Sequence, residues 1–256
     1  MTATEDAARP RQAVQSVQRA LELLDALDVA GGASSITALA ADTSLSLGTV
    51  HRLAQTLVDA GYLRQLPDRR YCLGSRLATL GARANSLVET RARPALLGLA
   101  DELGETANLA VLSGGRAEYL AQAAGRHSMR TFTEVGHRVP LHCTGVGKAL
   151  LSMLTDDDAC RILAESGMPA KTTATITDPD KMLMELATIR ARGYVVDDEE
   201  MELGVRCVAA PLRGTSLMAV SVSGPAARMT NDFLSEAVPV VLKVSSRLAQ
   251  ILGDGR

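Results

Sequence analysis

The chain has 256 residues, a formal net charge of −2 and a composition 46% apolar and 22% charged, which suits one large or two ordinary globular domains and excludes a disordered chain or a uniformly basic nucleic-acid coat. The polar start MTATEDAARPRQ lacks the apolar core of a signal peptide, and no later run reaches the ~18 uncharged apolar residues of a membrane span, so a cytoplasmic protein is expected. Four scattered cysteines, Cys72, Cys143, Cys160 and Cys207, form no CxxC pair and read as reduced thiols.

Val14, Val17, Leu21, Leu24 and Leu27 recur at helical spacing behind Gln15 or Ser16, and Gly31-Gly32 closes this first helix. Ile36, Leu39 and Ala40 make a short second helix capped by Ser34 or Ser35. After DTSLS, the stretch Ser46 to Leu63 carries Val50, Leu53, Leu57 and Ala60 as the buried stripe of a third. Ala40 is small, and Val50 and Leu53 follow it ten and thirteen positions on. That is the spacing of a helix-turn-helix, in which two helices cross closely. The turn position where glycine is usual holds Ser44, a fit only where no positive φ is needed. Gly61 stops the helix, and strands at Tyr62 to Gln65 and Arg70 to Leu73 flank a Pro-Asp turn, making a β-hairpin wing.

Between Ser46 and Arg76, five arginines (Arg52, Arg64, Arg69, Arg70, Arg76) stand against Asp59 and Asp68, a local balance of +3 hidden by the whole-chain charge. Ser46, Gly48, Thr49, His51, Arg52 and Gln55 lie at or near the start of the third helix, away from its apolar stripe. This face reads as a DNA-recognition surface set in a major groove, with Arg69 and Arg70 of the wing on phosphate. Arg52 and Gln55 can each pair bidentately with a base edge, and Thr49 or His51 can hold phosphate or meet a thymine methyl. The alternative is a winged module for protein contacts with Arg52 merely solvated.

Leu73 to about Leu103 suggests a linker helix running into a second helix that starts near Arg93-Pro94. The expected organisation is a DNA-binding domain over 1–80, a linker helix over 81–103 and a second domain over 104–256. In that domain Thr106 to Ala123 reads as a hairpin turning at Gly114-Gly115, and Met129 to Val135 is a further strand candidate. A helix runs from near Thr144 to Leu154, a second follows Thr155 from Asp156 to Glu165, and a third lies between Asp178 and Gly193. Strands follow at Tyr194 to Val196, Val205 to Pro211 and Leu217 to Ser223, then a last helix over Asn231 to Leu252 with a kink or restart at Pro239. The fold class is α/β (α+β), with an antiparallel sheet in the second domain.

CTGVGKALL superficially suggests a phosphate-binding loop, but the motif's first glycine would fall on His142, and Ala149 stands where Ser or Thr must reach magnesium. What remains is a glycine-bearing helix start at Thr144 to Gly147, suited to a small carboxylate. Ser221 and Ser223, two apart on a strand, share one side, with Val220 and Val222 on the other. An exposed strand face is the ordinary explanation of such serines, and a ligand the sharper one. His142 beside Cys143 is a poor nucleophile–base pair, since neighbours on an extended chain point opposite ways. His127, His137 and His142 match no metal-ligand spacing. No catalytic residue, metal or cofactor is expected.

The strings VQSVQRALELLDAL, ITALAADTSLSLGTVHRLAQTLVDAGYL and RRYCLGSRLATLG resemble the winged helix-turn-helix of the IclR family of bacterial transcription regulators. The likeness continues through HRVPLHCTGVGKALLS, RARGYVVDDEEMELGVRCVAAPL and AVSVSGPAARMT. Leu47 and Gly48 depart from the Lys or Ser common beside the Thr-Val pair. The resemblance implies a DNA-binding regulator of promoter DNA, dimeric or tetrameric, with the linker in the dimer contact and a GAF-like C-terminal effector domain. It further implies that Gly145, Val146, Asp197, Cys207, Ser221 and Ser223 line a pocket for a small organic acid. A thiol redox sensor using Cys143 or Cys207 is the rival reading.

Overall fold

A computed structural model describes residues 14–127, 134–214 and 217–253. The chain divides into two compact units, Met1–Ala82 and Arg83–Arg256. In the first, α1 (Gln15–Val29), α2 (Ile36–Asp42) and α3 (Leu47–Asp59) are joined by a three-stranded antiparallel sheet of β1 (Ala33–Ser34), β3 (Tyr71–Leu73) and β2 (Leu63–Gln65). Leu23, Leu27, Leu39, Val50, Ala54, Leu63 and Tyr71 form its core. Two details of the expected stripes change. Val14, Val17 and Leu21 of the α1 stripe are exposed, and in α3 the buried residues are Val50 and Ala54, while Ala60 falls past the helix end at Asp59 as its C-terminal cap. Neither Gln15 nor Ser16 caps α1, whose cap position is Val14 without a side-chain hydrogen bond.

Ser35 caps α2 by accepting the Ala38 N–H at 3.2 Å. Ser34 instead pairs with Tyr71 in β1, a two-residue strand too short to show a period in the sequence. Ser44 adopts φ +54°, so the turn does need a left-handed residue and the serine occupies it at a conformational cost. The Ser46 hydroxyl then caps α3 by accepting the Thr49 N–H at 3.3 Å.

α4 (Ser75–Leu103) carries residues of both units and runs unbroken through Pro94 instead of restarting there. Pro94 deprives the Thr90 carbonyl of its intrahelical donor, but Ala92, Ala95, Leu96, Leu99 and Ala100 around it are buried in a hydrophobic core, which holds the helix. The second unit is built on a six-stranded antiparallel sheet in the order β6-β5-β4-β9-β8-β7. Its strands are β4 (Thr106–Ser113), β5 (Arg116–Ala123), β6 (Arg138–Val139), β7 (Val195–Asp198), β8 (Val205–Leu212) and β9 (Met218–Pro225). The remaining helices are α5 (Gly145–Leu151), α6 (Asp156–Ser166), α7 (Pro179–Arg192) and α8 (Asn231–Leu252). α8 also passes its proline, Pro239, without a break.

One face of the sheet packs Leu109, Val208, Ala210, Val220 and Val222 against α4 and α8. The other packs Ala110, Tyr119, Cys207, Ala209 and Ala219 with residues of α5, α6 and α7. Of the strand expected at Met129 to Val135, residues 129–133 lie outside the described ones, and Glu134 and Val135 are not in a strand. β6 pairs with β5 at that edge. Among the described residues no helix is long and apolar enough to cross a membrane.

Candidate functional site

α3 begins at its capped Ser46, so Gly48, His51, Arg52 and Gln55 stand exposed along its outer side while Val50 and Ala54 hold the inner one. Thr49 is half-buried, its hydroxyl 2.9 Å from that of Ser46. A Cβ on Gly48 would meet nothing within 4 Å, so packing does not require the glycine. Gln55 donates to the Asp59 carboxylate at 2.9 Å. The wing turns through Arg69 at φ +67°. The five arginines are not equivalent. Arg70 is paired with Asp68 at 2.8 Å, and Arg76 donates to the Ala60 carbonyl at 3.0 Å and lies over the Tyr62 ring. The Arg70 guanidinium also holds the Asp68 carboxyl below its ordinary range. Arg52, Arg64 and Arg69 are exposed and enter no ion pair among the described residues. An exposed helix start flanked by unspent guanidinium groups can accept phosphate and present donors to base edges.

The second candidate site is the polar patch on the inner face of the larger sheet. Strand register defines it, because directly opposed residues project to the same side. One row runs Asp197–Cys207–Ser223–Thr106 across β7, β8, β9 and β4, and the next runs Ala209–Ser221–Asn108–Gln122 from β8 to β5. Beyond them the row turns apolar, with Ala219 opposite Ala110 and Ala110 opposite Tyr119. The serines therefore sit on a central strand, both buried, rather than on an exposed face. Asn108 donates to Ser223 Oγ at 3.3 Å, and Gln122 to Asn108 Oδ1 at 3.3 Å. Thr106 is 0% exposed, and its hydroxyl has no hydrogen-bond partner among the described residues.

α5 reaches this patch because two glycines allow it. A Cβ on Gly145 would stand 2.7 Å from Cys207 Sγ, and one on Gly147 would stand 2.4 Å from the Leu141 carbonyl oxygen. Thr144 caps α5 by accepting the Gly147 N–H at 3.2 Å. The first intrahelical bond runs from the Lys148 N–H to the Thr144 carbonyl, so the amides of Gly145 and Val146 precede it. The Lys148 side chain, 1% exposed, is turned away from any phosphate role. It pairs with Glu200, donates to the Val196 carbonyl at 3.3 Å and lies 3.8 Å from Glu185.

Asp197 is 4% exposed. It accepts the Glu200 N–H at 2.9 Å, fixing the turn after β7. Burial pushes its carboxyl up to about 7, against the hydrogen bond from Glu200 and with the repulsion of the Glu200 charge. Burial likewise raises Glu200, opposed by Lys148. The Tyr119 phenol is driven up by burial and then by Cys207 and Asp197.

The thiols are equally withheld from ionisation. Burial pushes Cys143 up to about 12, with Asp197 and Glu200 acting in the same direction. It raises Cys207 as well, although the Ser221 hydroxyl beside it pulls the other way. Cys143 contacts Met201 Sδ at 3.6 Å, whereas the His142 ring N–H points to the Pro169 carbonyl at 3.0 Å, so the two do not form a nucleophile–base pair. Burial lowers His142.

The structure thus brings Gly145, Cys207, Ser221, Ser223 and Asp197 to one sheet face. It adds Thr106, Asn108, Gln122 and Tyr119, which the sequence reading passed over. The signal was present in β4, where Thr106 and Asn108 alternate with Ala107 and Leu109 just as the serines alternate with valines. The Lys148–Glu200 pair had no such signal.

Comparison with known proteins places these sites in context. The model described as the IclR helix-turn-helix domain matches residues 16–67, and that described as the bacterial transcriptional regulator IclR C-terminal matches residues 83–250. The chain is 34% identical over 254 residues to the transcriptional repressor IclR of Escherichia coli K12, covering 95% of this chain and 92% of that protein. It is 37% identical over 243 residues to the HTH-type transcriptional regulator BhcR of Paracoccus denitrificans, covering 92% and 86%. The crystal structure of the Thermotoga maritima IclR superposes with a TM-score of 0.64 at 27% identity, covering 93% of this chain and 99% of that one.

Proposed function

Because the chain belongs to the IclR family of bacterial transcriptional regulators, we propose that it is a dimeric repressor whose grip on a two-fold operator is set by a small carboxylic acid held in its second unit. DNA binding belongs to the winged helix-turn-helix. Arg52 and Gln55 read base edges, Ser46, Gly48, Thr49 and His51 admit the helix start to the groove, and Arg69 and Arg70 of the wing bind phosphate. Gly48 suits this role, since open space around it leaves room for a close backbone approach.

The observation that carries the effector half is a polar patch on a sheet face that is otherwise core. Ser221, Ser223, Asn108 and Thr106 are all buried, and buried hydroxyls and amides cost stability unless hydrogen-bonded; the Thr106 hydroxyl has no partner among the described residues. Ser221 and Ser223 would donate to one end of the acid, with the Gly145 and Val146 amides close by and Cys207 and Asp197 bounding the pocket. Exposed apolar stripes support a dimer: Val14, Val17 and Leu21 at α1, and Leu80 and Leu87 on α4. Burial of both thiols weighs against the redox-sensor alternative, because the thiolate is the reactive form.

The test is calorimetric titration of wild type and the Ser221→Ala, Ser223→Ala double variant with glyoxylate, pyruvate and lactate, followed by gel shift with and without the acid that binds. The double variant should lose binding and keep its affinity for operator. Equal binding by both proteins would place the pocket elsewhere.

A further inference from the structure

The enclosure around Asp197 contains more acid than base. Glu200 faces it from the turn after β7, Lys148 from α5, Cys143 from the segment before α5, Cys207 from β8 and Tyr119 from β5. Lys148 is the cation that acts on Asp197; its ammonium is committed to Glu200 and the Val196 carbonyl and has Glu185 of α7 3.8 Å away, while Lys171 acts from the Cys143 side. Among the described residues Asp197 has no cation within ion-pair distance, and its carboxylate is held by backbone amides, those of Glu200 and Met201. Glu200 Oε2 has no hydrogen-bond partner among the described residues either. With both carboxylates ionised, Asp197, Glu200 and Lys148 sum to a net negative charge among buried side chains.

A carboxylate ligand must enter this enclosure next to Cys207 and Ser223, which stand in the same strand row as Asp197. Two like charges in one buried site cannot both persist, and one takes a proton. We propose that the pocket accepts a monocarboxylic acid together with one proton, that Asp197 holds this proton, and that the same residue excludes dianionic acids. The proposal rests on the reading of this pocket as a carboxylate site and adds the charge state of what it takes. The proton comes from solvent and returns there on release.

Linkage fixes the sign and size. Burial pushes the Asp197 carboxyl up to about 7, so binding an anion should take up about half a proton at pH 7 and close to one at pH 8.5, and little at pH 5.5. Affinity for the anion therefore falls with rising pH, by about tenfold or more between pH 6 and pH 8.5. A dianion of the same size adds a second charge to be neutralised and should bind far more weakly.

The full-length protein is titrated calorimetrically with glyoxylate and with oxalate, two-carbon acids of one and two charges. The measurement is made at about pH 6 and pH 8.5, and near pH 8 in phosphate and in Tris, whose ionisation enthalpies differ. The expected results are the pH-dependent loss, a buffer-dependent heat that reports proton uptake, preference for glyoxylate, and a flattened pH profile in Asp197→Asn. Binding without proton uptake, or oxalate binding as tightly as glyoxylate, would overturn the proposal. A separate arm needs no ligand. Melting of wild type and Asp197→Asn is compared from about pH 5 to 8.5, and the advantage of the variant should grow as pH rises towards about 7 and level off above it, since Asp197 keeps in the folded state a proton that the unfolded chain has already lost. A constant gap refutes the role of Asp197 whichever acid binds. A growing gap with no binding of glyoxylate, pyruvate or lactate at any pH overturns the carboxylate reading of the pocket, and the proposal with it.

Discussion

Arg52 and Arg69 carry the same charge but meet DNA differently. Arg52 projects from the exposed side of α3, where a bidentate pair with a base edge is within its chemistry, whereas Arg69 sits at the wing tip. Arg52→Ala should therefore cost about 1–3 kcal/mol on the operator and relax specificity at one base position. Arg69→Ala should weaken operator and random DNA alike and reduce the salt slope by about 1. Fluorescence anisotropy over a salt series separates them, and equal losses on both DNAs for Arg52→Ala would remove its base-reading role. Lys148 is a residue of the opposite kind, buried and bound to Glu200. Lys148→Met should destabilise the second unit by about 3–5 kcal/mol by stranding that carboxylate, and adding Glu200→Gln should recover part of the loss. Chemical denaturation of the wild type and these two variants tests this.

At the scale of elements, the turn between α2 and α3 shows a local compromise. Ser44 holds a left-handed conformation that glycine or asparagine adopts more easily. Ser44→Gly should raise stability by up to about 1 kcal/mol, the relief of strain being partly offset by the freer unfolded chain. A drop in melting temperature would contradict this account. The two helices that carry an interior proline, α4 and α8, make the complementary point. The first was expected to give way to a second helix near Pro94 and the other to kink or restart at Pro239, because a proline removes one hydrogen bond. Each continues because its buried face lies in the core of the larger sheet, and burial of several side chains outweighs the loss of one bond.

For the whole molecule, DNA and effector must be coupled reciprocally if the acid controls repression. The effector should then bind with an affinity altered by the presence of operator, typically by about 1–3 kcal/mol, and by the same factor in either direction. Titrating the acid into free protein and into the protein–operator complex measures both sides of that cycle, and identical affinities would mean that the acid does not regulate binding. A fragment of residues 83–256 should keep the acid affinity of the free protein and lose DNA binding, because the family match to the helix-turn-helix lies entirely outside it.

What the sequence by itself determined were the properties that live in short spacing. The amphipathic α3, the serine cap of α2, the wing around Pro67-Asp68, the alternation of β9 and the cluster of arginines all depend on residues a few positions apart. Tertiary structure alone decided the rest. Of the α1 stripe only part is buried, since helical periodicity says which side is apolar and not what covers it. Whether Ser221 and Ser223 lie at an edge or in the middle of a sheet depends on β4 and β8 pairing on either side, more than ten residues away in sequence. The meeting of Asp197 with Cys207 comes from the pairing of β7 with β8, and that of Lys148 with Glu200 from the packing of α5 against the turn after β7. Burial and charge, the two quantities that set the chemistry of this pocket, are properties of that assembled neighbourhood and have no local signature.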